Sequence, residues 1–149
     1  MTAPRRILGL DAGERRIGVA ISDPDASFAL PLRSVIVDGT EFDALEAFIH
    51  GEDVGEFVVG LPLSLSGESS AQTERARAFA RRLEERFGLP VHLWDERLST
   101  QEALRHTERE DRRSGRRGRG RQTPAADTDA IAASIILQAY LDARRFESI

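Results

Sequence analysis

The sequence predicts an α/β fold, a mixed β-sheet of about five strands with helices on both faces. Three observations carry that reading. Two apolar segments, RILGLD at residues 6–11 and IGVAIS at 17–22, flank a short Gly-containing turn and read as a hairpin. Further strand-like runs then alternate with stretches of helical period, as parallel βαβ units require. Capping and helix-breaking residues stand where those stretches begin and end.

The elements follow in order. Residues 28–37 form a third strand, which Pro31 confines to a sheet edge or an irregular start. Phe42, Leu45, Phe48 and Ile49 have helical spacing. EFVVGL at 56–61 is a strand stopped by Pro62. After a Ser- and Gly-rich loop, Ser69 and Gln72 are spaced as a capping box for a long helix to about Phe87, ended by Gly88 and Pro90. VHLW at 91–94 is another strand, and Ser99 with Glu102 opens a short helix. Asp127 caps a last helix whose run AIAASIILQAYL is apolar on nearly every side. The order is β-β-β-α-β-α-β-α-α.

A chain of 149 residues with a 40% hydrophobic share suits one domain, residues 1–149. The absence of cysteine excludes disulfides and thiolate metal sites and fits a reducing, cytoplasmic setting. The first residues lack a long apolar stretch, so neither a signal peptide nor a membrane span is expected. Charge is unevenly placed. All 21 basic residues are Arg, and eight of them fall between Arg105 and Arg121 against three acidic residues, a local +5 that leaves −9 on the rest of a chain whose net is −4. An acidic body with a basic, Gly-rich loop at about 108–126, expected to be mobile, points to a polyanionic partner.

Three carboxylates from distant parts of the chain are placed to converge. Asp11 ends the first strand, and Glu96 follows the strand at 91–94. Both positions are carboxyl ends of strands, where α/β folds build their sites. Asp129 sits in the first turn of the last helix. Hard divalent ions such as Mg²⁺ or Mn²⁺ take such oxygen ligands. Each residue also has a plainer reading at this point: Asp11 as a turn former, Glu96 as a partner of Arg97, Asp129 as a complement to the helix dipole. Asp23 lies about 20 Å from Asp11 along an extended hairpin strand and reads as a turn former before Pro24. Asp95 belongs to the opposite face from Glu96 if the strand continues, and is the reserve candidate.

The blocks LGLDAGERRIGVAISD (Leu8–Asp23), VVGLPLSLSGESS (Val58–Ser70), WDERLST (Trp94–Thr100) and TDAIAASIILQAYL (Thr128–Leu141) resemble, in order, those of the YqgF family, bacterial Holliday junction resolvase-like proteins also described as pre-16S rRNA nucleases. The resemblance implies a ribonuclease H-like fold, acidic site residues at Asp11, Glu96 and Asp129, and hydrolysis of phosphodiester bonds in maturing the 5′ end of small-subunit rRNA. This chain departs from the family in Arg15, where Lys is usual, in the LSLS of residues 63–66, and in the length and charge of the Arg/Gly loop.

The expected chemistry is two-metal hydrolysis, with Asp11 bridging two Mg²⁺ or Mn²⁺ ions about 4 Å apart and Glu96 and Asp129 each holding one. No histidine is needed as base, and His50, His92 and His106 read as structural or surface residues. Arg16 and Arg97 flank the acidic cluster as phosphate ligands. Gly60 and the loop containing Ser64 and Ser66 precede a helix N-terminus and offer backbone N–H groups to the strand being cut. Arg112, Arg113, Arg116 and Arg117 contact nucleic acid, either precursor rRNA or branched DNA. No membrane partner is expected. A junction resolvase would work as a homodimer, an rRNA trimmer as a monomer. Two rivals remain: a sugar-kinase or actin-like phosphate loop, which needs a second domain, and a non-catalytic rRNA-binding assembly factor.

Replacing Arg112, Arg113, Arg116, Arg117, Arg119 and Arg121 with Gln is expected to weaken nucleic-acid binding and flatten its salt dependence while leaving the melting temperature unchanged. Titrations at several salt concentrations read this directly; an unaltered slope would reduce the segment to a solvated loop.

Overall fold

The structure is a computed structural model that describes residues 5–98 and 127–147. The short helix expected from Ser99 and Glu102, His106, and the Arg/Gly loop with Arg112, Arg113, Arg116 and Arg117 lie outside the described residues.

The hairpin forms as its apolar alternation dictates. β1 (Arg6–Ala12) pairs antiparallel with β2 (Arg16–Ser22), and Asp11 lies opposite Gly18. β2 pairs antiparallel with β3 (Ala29–Ile36), which is an edge strand. The register slips where Val19 faces Arg33 but Ala20 faces Pro31. Proline has no N–H for the ladder, and the extra residue at 32 lets the strand bulge past it.

α1 (Glu41–Glu52) leads to β4 (Val54–Leu61), which runs parallel to β1. α2 (Ala71–Phe87) leads to β5 (Val91–Asp95), parallel to β4. The strand order is therefore β3-β2-β1-β4-β5, a mixed sheet. The capping box of α2 falls one residue later than expected. Ser70 accepts the Thr73 N–H and Thr73 Oγ1 accepts the Ser70 N–H, so a Ser/Thr pair replaces the anticipated Ser69 and Gln72. Thr73 also donates to the Pro62 carbonyl, which ties the helix start to the strand end and selects this register. Gly88 ends α2 in the left-handed conformation, as its missing Cβ allows.

After β5 comes one turn of 3-10 helix (Glu96–Leu98), and α3 (Thr128–Glu147) closes the described fold. No described helix is long and apolar enough to cross a membrane.

Period-2 alternation sorts the strands' side chains onto two cores. Leu8, Leu10, Ile17, Val19, Phe57 and Val59 point to one face, where α1 and α2 cover them. Phe42, Phe57, Phe79 and Phe87 interlock there with ring centroids 5.7–6.4 Å apart. Ile7, Ala20 and Val58 point to the other face and meet Ala133, Ile136, Leu137 and Leu141 of α3. Helices thus cover both faces, as expected.

The α3 face is unusual in its glycines. A Cβ on Gly9 would lie 2.7 Å from the Cβ of Leu137 and 3.2 Å from the Ala133 carbonyl. Gly9→Ala is therefore expected to overpack this interface, at a cost of about 1–3 kcal/mol. Gly51, within α1, has open space around it, so Gly51→Ala should stabilise, by up to about 1 kcal/mol. Denaturant midpoints that move in the same direction for both variants would contradict this account of the packing.

Candidate active site

Strand alternation carries Ile7, Gly9 and Asp11 to the α3 face of β1. Asp11 ends there between two glycines on neighbouring strands. Across the antiparallel pair is Gly18, where any Cβ would overlap the Asp129 carbonyl, so the first turn of α3 rests directly on β2. On the parallel side is Gly60 of β4, one position beyond the Leu10–Val59 pair. A Cβ on Gly60 would stand 2.6 Å from Glu96 Oε1. Glycine in a strand marks close approach of another group, and these two admit a helix N-terminus and a carboxylate respectively.

Asp11, Glu96 and Asp129 are thus brought to one rim from β1, the turn after β5, and α3. Burial, and then the charge of Asp129, hold the Asp11 carboxyl above its ordinary value. Burial pushes Glu96 up to about 7, with the charges of Asp11 and Asp95 adding to it. Asp129 is differently placed. Arg16 Nε lies 3.1 Å from its Oδ2, and Ser34 Oγ donates to the same oxygen over 3.1 Å. Its carboxylate therefore leans toward β2 and β3, while Glu96 stands over β4. Among the described residues no three His, Cys, Asp or Glu side chains are gathered tightly enough as they stand to enclose one ion. The donor set itself suits a hard divalent cation: carboxylates alone, two of them disfavoured as anions by burial and mutual repulsion.

The other residues singled out from sequence are distributed around this rim. β5 ends at Asp95, and the chain then turns, so Asp95 and Glu96 part company. Asp95 faces Arg97, accepting its backbone N–H at 2.9 Å and its guanidinium at 2.6 and 3.0 Å. That pairing holds Asp95 below the usual carboxylate range. Arg97 also donates to the Leu65 carbonyl at 3.4 Å and so joins the turn after β5 to the 62–70 loop. In that loop Ser64 and Ser66 are exposed, their hydroxyls 2.9 Å apart, and Ser64 Oγ accepts the Glu68 N–H. Asp23 accepts the N–H groups of Ser27 and Phe28, the turn role read from the sequence. His92 pairs with Glu56 at 2.8 Å and stacks on Tyr140, and His50 is exposed beside Glu46.

Sequence reasoning missed Ser34 and the full role of Asp127. Asp127 caps α3 as expected, accepting the Ala130 N–H, but it also receives both the N–H and the hydroxyl of Ser34. Nothing in the local pattern of β3 singles out Ser34. Gly18 and Gly60 did carry a legible signal, since each interrupts an otherwise bulky strand.

The family model described as RuvX, Holliday junction resolvase, matches residues 5–143. A protein of Koribacter versatilis named "Putative pre-16S rRNA nuclease" is 43% identical over 141 residues, covering 93% of this chain and 88% of its own. One of Syntrophus aciditrophicus with the same name is 44% identical over 146 residues, covering 97% and 93%. Among solved structures, T. thermophilus RuvC in complex with a Holliday junction substrate superposes with a TM-score of 0.59 at 18% identity, covering 95% of this chain and 96% of that one. That likeness is one of fold, and it makes the mixed sheet described above ribonuclease H-like. Matched by the family model from β1 into α3, the chain belongs to the RuvX (YqgF) family of Holliday junction resolvase-like proteins.

Proposed function

We propose that this chain is a divalent-metal-dependent endonuclease that cuts phosphodiester bonds in precursor 16S rRNA, in the cytoplasm. The single observation that supports the site is that Asp11 lies within range of the charge of both Glu96 and Asp129, with Gly60 leaving room for the Glu96 carboxylate and Gly18 for the Asp129 backbone. The substrate comes from the names of the relatives. Asp11, Glu96 and Asp129 are the ligands, with Asp11 central because it lies on the strand between the other two. Bound Mg²⁺ or Mn²⁺, as a pair, supplies an activated water and stabilises the departing oxygen.

The protein's own residues do the rest. Burial withdraws water from Asp11 and Glu96, which strengthens their hold on a cation. Arg16, already beside Asp129, is placed to take a phosphate oxygen. Arg97 serves by holding the 62–70 loop, with Ser64 and Ser66 at its exposed tip, next to Glu96. The Arg-rich segment adds phosphate contacts without sequence discrimination. A four-way DNA junction is the second reading, favoured by the description of the family itself.

The direct test is cleavage of an RNA spanning the 5′ end of pre-16S rRNA, beside a synthetic junction, with Mg²⁺, Mn²⁺ or chelator. Cleavage with metal and none with chelator is expected, and Asp11→Asn should abolish it. Full metal-dependent activity in folded Asp11→Asn would move the site elsewhere.

The raised Glu96 has a consequence for stability. Between its ordinary 4.5 and about 7, the folded protein holds a proton that the unfolded chain has released. Stability of the metal-free protein therefore falls as pH rises through that window. Glu96→Gln should raise the melting temperature at pH 8, leave it unchanged at pH 4, and abolish cleavage. Asp95→Asn should keep turnover and lose only its contacts to Arg97. Melts in chelator at the two pH values, paired with the cleavage assay, decide it; an inactive Asp95→Asn beside an active Glu96→Gln would reverse the assignment.

A further inference from the structure

The first turn of α3 is held to the sheet by one serine of the edge strand. Ser34 lies opposite Gly18 in the β2–β3 pair and so shares its face. Its N–H donates to Asp127 Oδ2 at 2.6 Å, and its hydroxyl reaches Asp127 Oδ1 at 2.5 Å and Asp129 Oδ2 at 3.1 Å. Asp127 in turn caps the helix through the Ala130 N–H at 3.1 Å, and its own carbonyl accepts the Ile131 N–H at 3.0 Å. Two carboxylates two residues apart therefore face one hydroxyl. A hydroxyl has a single proton, which the shorter contact takes, leaving Asp129 a shared and weaker hydrogen bond. What the hydroxyl supplies is a polar bridge between two like charges that would otherwise face each other across a gap.

We propose that Ser34 is a positioning residue for Asp129: with Asp127 as its anchor, its hydroxyl sets the direction in which the Asp129 carboxylate points on the rim it shares with Asp11. This deepens the proposed function and rests on Asp129 being part of that site. Arg16 draws on the same Asp129 oxygen from β2, at 3.1 Å. With Ser34 in place, the carboxylate has two fixed partners and one orientation. With the hydroxyl gone, Arg16 alone directs it, and repulsion from Asp127 pushes it the same way.

The helix cap survives this loss, because the Ala130 N–H keeps Asp127 Oδ1, the oxygen it shared with the hydroxyl, the Ile131 N–H keeps the Asp127 carbonyl, and the Ser34 N–H keeps Oδ2. Ser34→Ala thus separates positioning from support. Three readouts are needed on the full chain: Mn²⁺ affinity by calorimetry, kcat and KM separately on the pre-16S 5′ RNA, and the melting temperature. Ser34→Ala is expected to weaken Mn²⁺ binding and lower kcat, each by about 10–100-fold, with KM and melting temperature close to wild type. Ser34→Thr, which keeps the hydroxyl, should restore both. Wild-type Mn²⁺ affinity and kcat in Ser34→Ala would overturn the proposal. So would a fall in melting temperature that accounts for the lost activity and is not rescued by Thr. If the wild-type protein itself neither binds Mn²⁺ nor cuts, the reading of the site fails first and the role of Ser34 falls with it; if wild type does both and Ser34→Ala matches it, only the positioning role is lost.

Discussion

The close approach of other groups to three glycines on one face of the sheet is the constraint on which the rest of this structure depends. Gly9 lets α3 lie against β1, Gly18 lets its first turn touch β2, and Gly60 leaves a hollow that the Glu96 carboxylate enters. A side chain at any of these would lift the helix or expel the carboxylate, and packed interiors have little slack to absorb that. The same face is otherwise lined by Ile7, Ala20 and Val58, so the glycines form local gaps under α3 and Glu96 rather than a general thinning of the core. The helix that seals the apolar half of this face therefore also delivers Asp129 to its polar end.

That arrangement sets an electrostatic problem, which the fold treats differently at each carboxylate. Asp129 and Asp95 each have an arginine, Arg16 and Arg97, at salt-bridge distance. Asp11 and Glu96 both carry the cost of desolvation and of neighbouring negative charge, which lifts Glu96 to about 7. Pairs exposed to solvent contribute little to stability. The arginines are better understood as setting orientation: Arg97 turns Asp95 away from the rim and holds the 62–70 loop, whereas Arg16 holds Asp129 at its edge.

Much of this is legible in the sequence, for identifiable reasons. Elements marked by period and by a breaking residue came out close to their observed bounds, because burial enforces alternation and Gly88 can end a helix where others cannot. Pro31 pointed to a sheet edge or an irregular start, and β3 is an edge strand whose register shifts beside that proline. Where several polar residues compete the sequence is ambiguous. Ser69 and Ser70 both suit a cap, and the choice fell to Ser70 because Thr73, three residues on, also reaches the Pro62 carbonyl. Asp11 faces Gly18 because the turn takes in residues 13–16, a length that the Gly-containing sequence leaves open. The convergence of Asp11 and Glu96 could be anticipated from strand ends, but the part played by Ser34 could not. It depends on contacts 93 and 95 residues apart in sequence, and no local pattern encodes those.

The two ends of the segment between Leu98 and Asp127 have a consequence of their own. Leu98 closes the turn that carries Glu96, and Asp127 is fastened to Ser34 beside Asp129. The 28 intervening residues, with their arginines, are thus tethered at both ends to the same rim. No residue of that segment is more than 14 positions from one anchor, so none can travel farther than about 50 Å from it even at full extension. Chain connectivity alone therefore confines the charge of these arginines to a volume around the rim, at an effective concentration on the order of millimolar. Under the proposed function, a phosphate group met anywhere along the segment is within that same reach of the turn that carries Glu96 or of Asp127 beside Asp129.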